Sequence, residues 1–228
     1  MTPQVNVLNS IPERSDLPDF ENGLVLCCVG QQFNPGGHLT VKGLKNEPYN
    51  LSRPSRIVVR ALGHAALKYG ENVKRILVSG NDGALFPQGA LLLLNNEFED
   101  INPELYANPD VNSVTLRDSG NNIPRILSAE GYKQAPLIFG LGVKARRMIS
   151  AFASSGMKYY PVASESVVAD ESYIGYTQVL DWRLSAEGIL TYAQEGLIET
   201  FPFIENHQKL MKLLRPAGLI GRNKIFTL

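Results

Sequence analysis

The sequence predicts an α/β protein with a Rossmann-like three-layer fold, a mainly parallel sheet and a small C-terminal helical addition. Short apolar runs alternate with amphipathic helical stretches, which is the pattern of βαβ units. The run GLVLCCVG at 23–30 is apolar between its flanking glycines, as in a strand buried on both faces of a parallel sheet. Four of the strand-like runs end in small, polar, glycine-bearing stretches, which favours a ligand site at one edge of the sheet.

The chain has 228 residues, with 22 basic and 22 acidic side chains, so its formal net charge is zero. We divide it into an N-terminal extension at 1–22, a Rossmann-like domain at 23–170, and a helical segment at 171–228 packed on the same domain. The charge balance gives no indication of a nucleic-acid partner. Without a long apolar run or a signal pattern, we expect a soluble, cytoplasmic protein with no membrane partner. The oligomeric state stays open.

The strands are assigned from apolar runs that are bounded by glycine or polar residues. Predicted strands cover 24–29, 75–79, 113–117 and 136–140, and KYYPVAS at 158–164 is a further strand. Pro161 places this last strand near an edge of the sheet, because proline cannot donate a ladder hydrogen bond. Cys27 and Cys28 are interpreted as buried thiols, since adjacent cysteines rarely pair and have no metal-ligand spacing.

The helices are assigned from their apolar periodicity and their end signals. The first begins at Ser55 as N-cap and stops at Gly70, and the second begins near Pro87. Pro124 and Arg125 open the third, which ends near Gly131. The remaining helices are VKARRMISAFASSG up to Gly156, about Ser185–Thr200, and Phe203–Arg215. Trp182, Tyr173 and Tyr176 are interpreted as packing in the core or in a lid.

The stretch Asp118–Asn122 has two interpretations. Its serine or asparagines can cap the following helix, or its amides and side chains can hold a ligand at the end of a strand. Asp118 is suited to ribose hydroxyls, as acids are in Rossmann-like sites. In GLGVKARR the glycines permit close approach of a ligand, and Lys144 with Arg147 can hold a phosphate or carboxylate, or can simply be a solvated helix face.

Several segments together resemble the YdcF-like family, which also includes the SanA and ElyC envelope proteins. The matching residues are Arg60, Ala61, Tyr69, Ser79, Gly80, Asp118, Ser119, Asn121, Arg147, Phe152 and Gly156. The chain departs from the family pattern where acidic, histidine and other polar residues are expected. Those positions hold Gln88, Asn122, Pro124, Arg125, Gly140 and Lys144.

The resemblance implies a Rossmann-like protein that binds a small nucleotide-like or phosphate-bearing ligand, with S-adenosylmethionine as a possible cofactor. A transferase or hydrolase activity is one expectation. A non-catalytic ligand-binding or regulatory protein is another, and a partner subunit with a vestigial pocket is a third. The expected ligand-binding residues are Gly30, Gln31, Gln32, Arg60, Ser79, Gly80, Asn81, Asp82, Gln88, Asp118, Ser119, Asn121, Asn122, Arg125, Gly140, Lys144 and Arg147.

No catalytic residue is assigned from the sequence. The three histidines, His38, His64 and His207, are far apart and have no metal-ligand spacing, so no metal site is expected. Ser79 precedes a glycine at the end of a strand and could be a nucleophile, but no histidine is evidently placed as its base.

Overall fold

The computed structural model describes residues 6–17, 23–30, 47–80, 85–113, 116–153, 155–185, 188–189, 191–193 and 195–196. Four parallel strands form one sheet in the order β2-β1-β3-β4. The strands are β1 Leu24–Val29, β2 Val73–Ser79, β3 Leu137–Gly140 and β4 Tyr160–Ala163. The predicted α/β class and parallel sheet are confirmed, as are the predicted strands at 24–29, 75–79 and 136–140 to within two residues.

Helices cover both faces of this sheet. One face packs against α1 Arg53–Tyr69, α2 Leu85–Glu97, α5 Ser164–Glu171 and α6 Tyr173–Leu184. The other packs against α3 Leu116–Ala129 and α4 Ala145–Ala153. The arrangement is the three-layer, Rossmann-like architecture that the sequence predicts.

Strand β1 explains why two helical layers are needed. Leu24, Leu26 and Cys28 point into the core under α1, while the residues between them point into the core under α3 and α4. All six β1 side chains are buried, so neither face of the strand meets solvent. Cys27 and Cys28 are free, buried thiols on opposite faces, in agreement with their interpretation from the sequence.

The predicted strand at 113–117 is wrong. Ser113 lies in a loop, and helix α3 begins at Leu116, two turns before the predicted start at Pro124. Proline is usual at a helix start, but here it lies inside the helix. Contacts made by the polar stretch outweigh that local signal: Ser119 bonds to strand β2, and Gly120 packs on α4. Asp118–Asn122 are therefore helical and do not form a strand end.

The start of α1 also differs from the prediction. The N-cap is Ser52, whose hydroxyl accepts the Ser55 amide at 3.4 Å. Pro54 then sits in the first turn, where its missing N–H costs nothing. Ser55 is a buried residue of that first turn.

The two edges of the sheet are covered by neighbouring chain. Strand β4, which contains Pro161, is an edge strand as predicted, and Leu8 of the N-terminal extension pairs with it. At the other edge Asp110 forms a parallel bridge with Ser79. Arg75 holds this second segment in place, because its guanidinium donates to the carbonyl oxygens of Leu105 and Asn108 and to Glu130.

The predicted helix at 185–200 is described at 188–189, 191–193 and 195–196, where the chain is helical. The predicted helix at 203–215 lies outside the described residues. Among the helices of the described ranges, none has the length and apolar character needed to cross a membrane.

Gly120 provides a test of the α3–α4 contact. A Cβ atom there would clash with the Ala151 carbonyl oxygen, so Gly120→Ala forces the two helices apart. We expect a loss of about 1–3 kcal/mol in the free energy of unfolding, typical of overpacking. Gly196→Ala is the matched control, since its Cβ would meet nothing within 4 Å. Chemical denaturation measures both, and a stabilised Gly120→Ala would contradict the close contact.

Candidate functional site at the C-terminal edge of the sheet

The strand order reverses at one point of the sheet. From β1 the chain moves to β2 with α1 on one face, and from β3 it moves to β4 with α4 on the opposite face. The reversal lies between β1 and β3. In open parallel sheets ligands bind outside the carboxyl ends of the strands at such a point. The ends of interest are therefore Gly30 after β1 and Gly140 in β3.

Packing inside the protein accounts for the glycines at the strand ends. A Cβ atom on Gly80 would lie 2.8 Å from the Phe86 ring, and one on Gly30 would lie 3.2 Å from it. A Cβ atom on Gly140 would lie 3.0 Å from the Met148 sulfur. These glycines make room for the protein's own side chains, a role that sequence cannot distinguish from room for a ligand.

A polar group of five residues, four of them buried and Asn122 half-buried, lies at the end of β2, and we call it the Asp110 cluster. Its members are Ser79, Asp110, Ser113, Ser119 and Asn122. The hydroxyl groups of Ser79 and Ser113 donate to the Asp110 carboxylate, the first at 2.7 Å. Ser79 and Ser119 oxygens are 2.9 Å apart, and the Asn122 amide donates to the Ser113 hydroxyl at 3.0 Å.

The Asp110 cluster joins three parts of the chain: strand β2, the loop before α3, and α3 itself. Asp110 is only 2% exposed and also accepts the Asn112 amide. Its charge is thus balanced by hydroxyl and amide donors. Ser79 is completely buried and its proton is donated to Asp110, so this serine is not presented to a substrate as a nucleophile.

A cleft of about 310 Å³ opens at the C-terminal ends of β3 and β4. We call it the Glu165 cleft, after the buried acid in the first turn of α5. Gly142, Val143 and Ala163 form part of its wall, and Arg183 and Tyr192 bring polar groups to it. The cleft lies on the β3 side of the strand reversal.

The polar groups of the Glu165 cleft interact with one another. Both Glu165 carboxylate oxygens accept the Gly142 amide, at 2.9 and 2.8 Å. Burial raises the pKa of Tyr192 and the negative charge of Glu165 adds to the effect, while Arg183 opposes it through its charge and a hydrogen bond. A carboxylate, a guanidinium and a phenol therefore share one small cleft.

Two of the predicted cations are already paired within the protein. Arg147 donates to Glu195 at 2.8 Å, and the Glu195 side chain is buried. Arg60 is bonded to both oxygens of Glu97 at 2.7 Å and to Gln178, so it links α1, α2 and α6 on the outer side of one helical layer. Arg60 thus faces Glu97 and Gln178 and not the strand ends.

The structure unites only part of the predicted ligand set. Ser79, Ser119 and Asn122 meet in the Asp110 cluster, and the Gly30 amide donates to the Ser79 carbonyl oxygen at 2.7 Å. Asp118 and Lys144 are half-buried. The predicted residues with exposed side chains are Gln88, Asn121 and Arg125. The predicted residues that lie outside the described part are Gln31, Gln32, Asn81 and Asp82.

Sequence reasoning missed five residues of these two sites: Asp110, Ser113, Glu165, Arg183 and Tyr192. For Glu165 a signal existed, because Glu165 and Ser166 directly follow the predicted strand at 158–164 and make it a fifth polar strand end. Asp110 and Arg183 carry no such local signal, since each reaches its site only through the tertiary fold. In the described ranges no group of three potential metal-ligating side chains is found.

Compared with known proteins, the chain matches no family model, no curated protein and no solved structure.

Asp110→Ala tests the stabilising role of the cluster. The change leaves two buried hydroxyl groups and one amide without their acceptor, and the loss of hydrogen bonds to a charged group costs about 2–4 kcal/mol of folding free energy. Asp100→Ala, at an exposed position, is the control. Urea denaturation of the two variants measures the difference. Equal stabilities would show that the cluster contributes nothing to the fold.

The Arg60–Glu97 pair predicts a pH dependence. Burial would raise the pKa of Glu97, but hydrogen bonds and charge from Arg60 outweigh it and hold the pKa below its ordinary value. Because the folded pKa is the lower one, the stabilisation is present above the unfolded pKa and lost as pH falls below about 4. We expect Glu97→Gln to lose less melting temperature on acidification than the unchanged protein.

The matched control for this pH series is Glu104→Gln, at an exposed position. It should follow the unchanged protein across the same range. Parallel acid curves for Glu97→Gln and the unchanged protein would contradict the role of the Arg60–Glu97 pair.

Proposed function

We propose that this protein binds a small nucleotide-like or phosphate-bearing ligand at the C-terminal edge of its sheet, with the Glu165 cleft as the anchoring point. The observation that carries the proposal is the placement of this cleft at the C-terminal ends of β3 and β4, one strand away from the reversal between β1 and β3. Its volume of about 310 Å³ is at the lower end of the range for small-molecule sites.

The chemistry of the cleft suits a ligand with both an anionic and a hydrogen-bond-donating part. The Arg183 guanidinium can pair with a phosphate or carboxylate in a two-pronged geometry. Glu165 accepts one amide and keeps lone pairs for a ligand hydroxyl or ammonium group. Val143 and Ala163 give apolar wall to the same cleft.

The resemblance to the YdcF-like family supports S-adenosylmethionine as one candidate ligand. Its amino-acid portion carries a carboxylate and an ammonium group, which match Arg183 and Glu165 in charge. We further propose a cytoplasmic location, supported by the free thiols of Cys27 and Cys28. The zero net charge favours a small-molecule ligand over nucleic acid.

Both a transferase or hydrolase activity and a non-catalytic binding or regulatory role are compatible with a ligand bound at this site. The hydrogen bonds that Ser79 and Asp110 make within the protein favour the non-catalytic role, because neither side chain is free to act on a substrate. Ligand affinity without turnover would select the binding role. A stable partner complex without any ligand affinity would select a partner subunit with a vestigial pocket.

The first test is a thermal-shift screen of the full chain against nucleotides, S-adenosylmethionine and phosphosugars. A ligand at 100 times its dissociation constant adds about 2.7 kcal/mol of stability. For a chain of this size that corresponds to a rise of about 5–10 °C in melting temperature. A screen in which no compound class raises the melting temperature would contradict the proposed binding.

Arg183→Gln then tests the anchoring cation. Because the variant loses a hydrogen bond to a charged group, its affinity for the ligand found in the screen should fall by about 10–150-fold, as measured by calorimetric titration. Arg117→Gln, at an exposed position on α3, is the matched control and should bind like the unchanged protein. Equal affinities of the two variants would place the ligand elsewhere.

A further inference from the structure

Three acidic side chains in the described part of the chain are almost completely buried. They are Asp110, Glu165 and Glu195, and each is 2% exposed. A carboxylate that leaves water loses its hydration, so a buried one is normally compensated by hydrogen-bond donors or by a cation. The compensation that the protein gives to each of the three therefore shows whether any of them is left for a ligand.

Two of the buried acids are compensated within the protein. Asp110 accepts two serine hydroxyl groups and the Asn112 amide. Glu195 accepts a hydrogen bond from the Arg147 guanidinium at 2.8 Å, and the two form an ion pair. Both carboxylates are thus provided for by the chain itself.

Glu165 differs from the other two acids. Among the described residues, the Gly142 amide is its one hydrogen-bond donor, and its two oxygens share that single N–H at 2.9 and 2.8 Å. No ion pair of Glu165 is found in the same part of the chain. A carboxylate has about four lone-pair positions, so most of the accepting capacity of Glu165 is unused.

The Glu165 carboxylate is also held in a fixed place beside the cleft. Glu165 and Gly142 both line the Glu165 cleft. A Cβ atom on Gly142 would lie 3.1 Å from Glu165 Oε1, so the glycine lets the carboxylate come close to the backbone amide. The amide orients the carboxylate, and the cleft is the side from which a further donor can reach it.

Arg183 brings the opposite charge to the cleft from its exposed side. It belongs to α6, in which Trp182 is fully buried as expected, whereas Tyr173 and Tyr176 are 81% and 51% exposed and do not pack in the core. The Arg183 side chain is exposed and Glu165 is buried. A ligand that meets both would direct a positive group inward and a negative group outward.

We propose that the Glu165 carboxylate binds a positively charged ammonium group, so that the ligand of this cleft is an aminated phosphate or carboxylate. The inference rests on the proposed function, in which Arg183 binds the anionic group of the same ligand. It adds that Glu165 is a specificity-determining residue, which selects molecules with an ammonium group over molecules without one.

An ammonium group fits this carboxylate better than a hydroxyl group or a metal ion. A hydroxyl group donates one neutral hydrogen bond and leaves the buried charge uncompensated, whereas an ammonium group has three donors and carries the compensating charge. A divalent cation such as Ca²⁺ takes several oxygen ligands, and no group of three potential metal-ligating side chains is found in the described ranges.

The test compares two phosphates that differ in one group, O-phosphoethanolamine with its ammonium and 2-hydroxyethyl phosphate with a hydroxyl in its place. The unchanged full chain should bind the first at least about tenfold more tightly in calorimetric titration, the effect of a charged hydrogen bond. Glu165→Gln keeps an acceptor for the Gly142 amide and should abolish this preference. Asp170→Asn, at an exposed position on α5, removes the same charge and should keep it.

A second measurement needs no ligand. Because the charge of Glu165 is poorly compensated in the empty cleft, Glu165→Gln should leave the melting temperature of the unliganded protein unchanged or raise it, whereas Asp110→Asn should lower it. A Glu165→Gln chain that is destabilised like Asp110→Asn, or that fails to fold, would show that the protein itself uses the charge and would overturn the inference.

The outcomes separate this inference from the proposed function. Equal affinity of the unchanged protein for the two phosphates would overturn the role of Glu165 and leave phosphate binding in place. A preference that persists in Glu165→Gln would also overturn that role. Failure of both phosphates to bind, together with a negative thermal-shift screen, would contradict the proposed function and this inference with it.

Discussion

The fold depends on the complete burial of strand β1. Each of its six side chains is buried, and they alternate between two separate apolar cores. A strand of this kind requires strands on both edges and helices on both faces, and β2, β3, α1 and α3 meet these needs. Because the chain leaves β1 to one side and later returns to the other, the same requirement creates the strand reversal. The burial of β1 thus sets the reversal between β1 and β3, and the Glu165 cleft lies at the next pair of strand ends.

Buried acids occupy much of the polar space around the C-terminal edge. Asp110 accepts hydroxyl and amide donors, Glu165 accepts the Gly142 amide, and Glu195 pairs with Arg147. A backbone amide that follows a strand, such as that of Gly142, is a place where an anionic ligand often binds. In this protein the Glu165 carboxylate accepts that amide and so occupies the position of such an anion. An anionic ligand would therefore be drawn to Arg183 rather than to the glycine-rich stretch that the sequence favoured.

The sequence was informative where structure follows from local pattern. The runs around 24–29, 75–79 and 136–140 are apolar because both faces of the sheet are buried, and that property is visible without coordinates. The segment 113–117 misled for a physical reason. Its apolar and polar alternation is compatible with a strand, and Pro124 looks like a helix start. The segment is helical because Ser119 bonds to β2 and Gly120 packs on α4, and both of these contacts are made with parts of the chain that are distant in sequence.

The same limit applied to the site. Ser79, Ser119 and Asn122 were predicted as a group because each stood at a presumed strand end, and they do meet. They meet through Asp110 and Ser113, which no pattern marks. Arg147 looked like a ligand-binding cation because its partner Glu195 is far along the chain. Pairing of charges across 48 positions depends on the packing of helices and not on any local spacing.

Helix α6 ties the candidate site to the core. Trp182 and Arg183 are consecutive, and each step turns the side chain by about 100° around the helix. Trp182 is fully buried in the core, whereas Arg183 lines the Glu165 cleft. The core packing of Trp182 therefore fixes the rotation of α6 and, with it, the side of the helix from which Arg183 reaches the cleft.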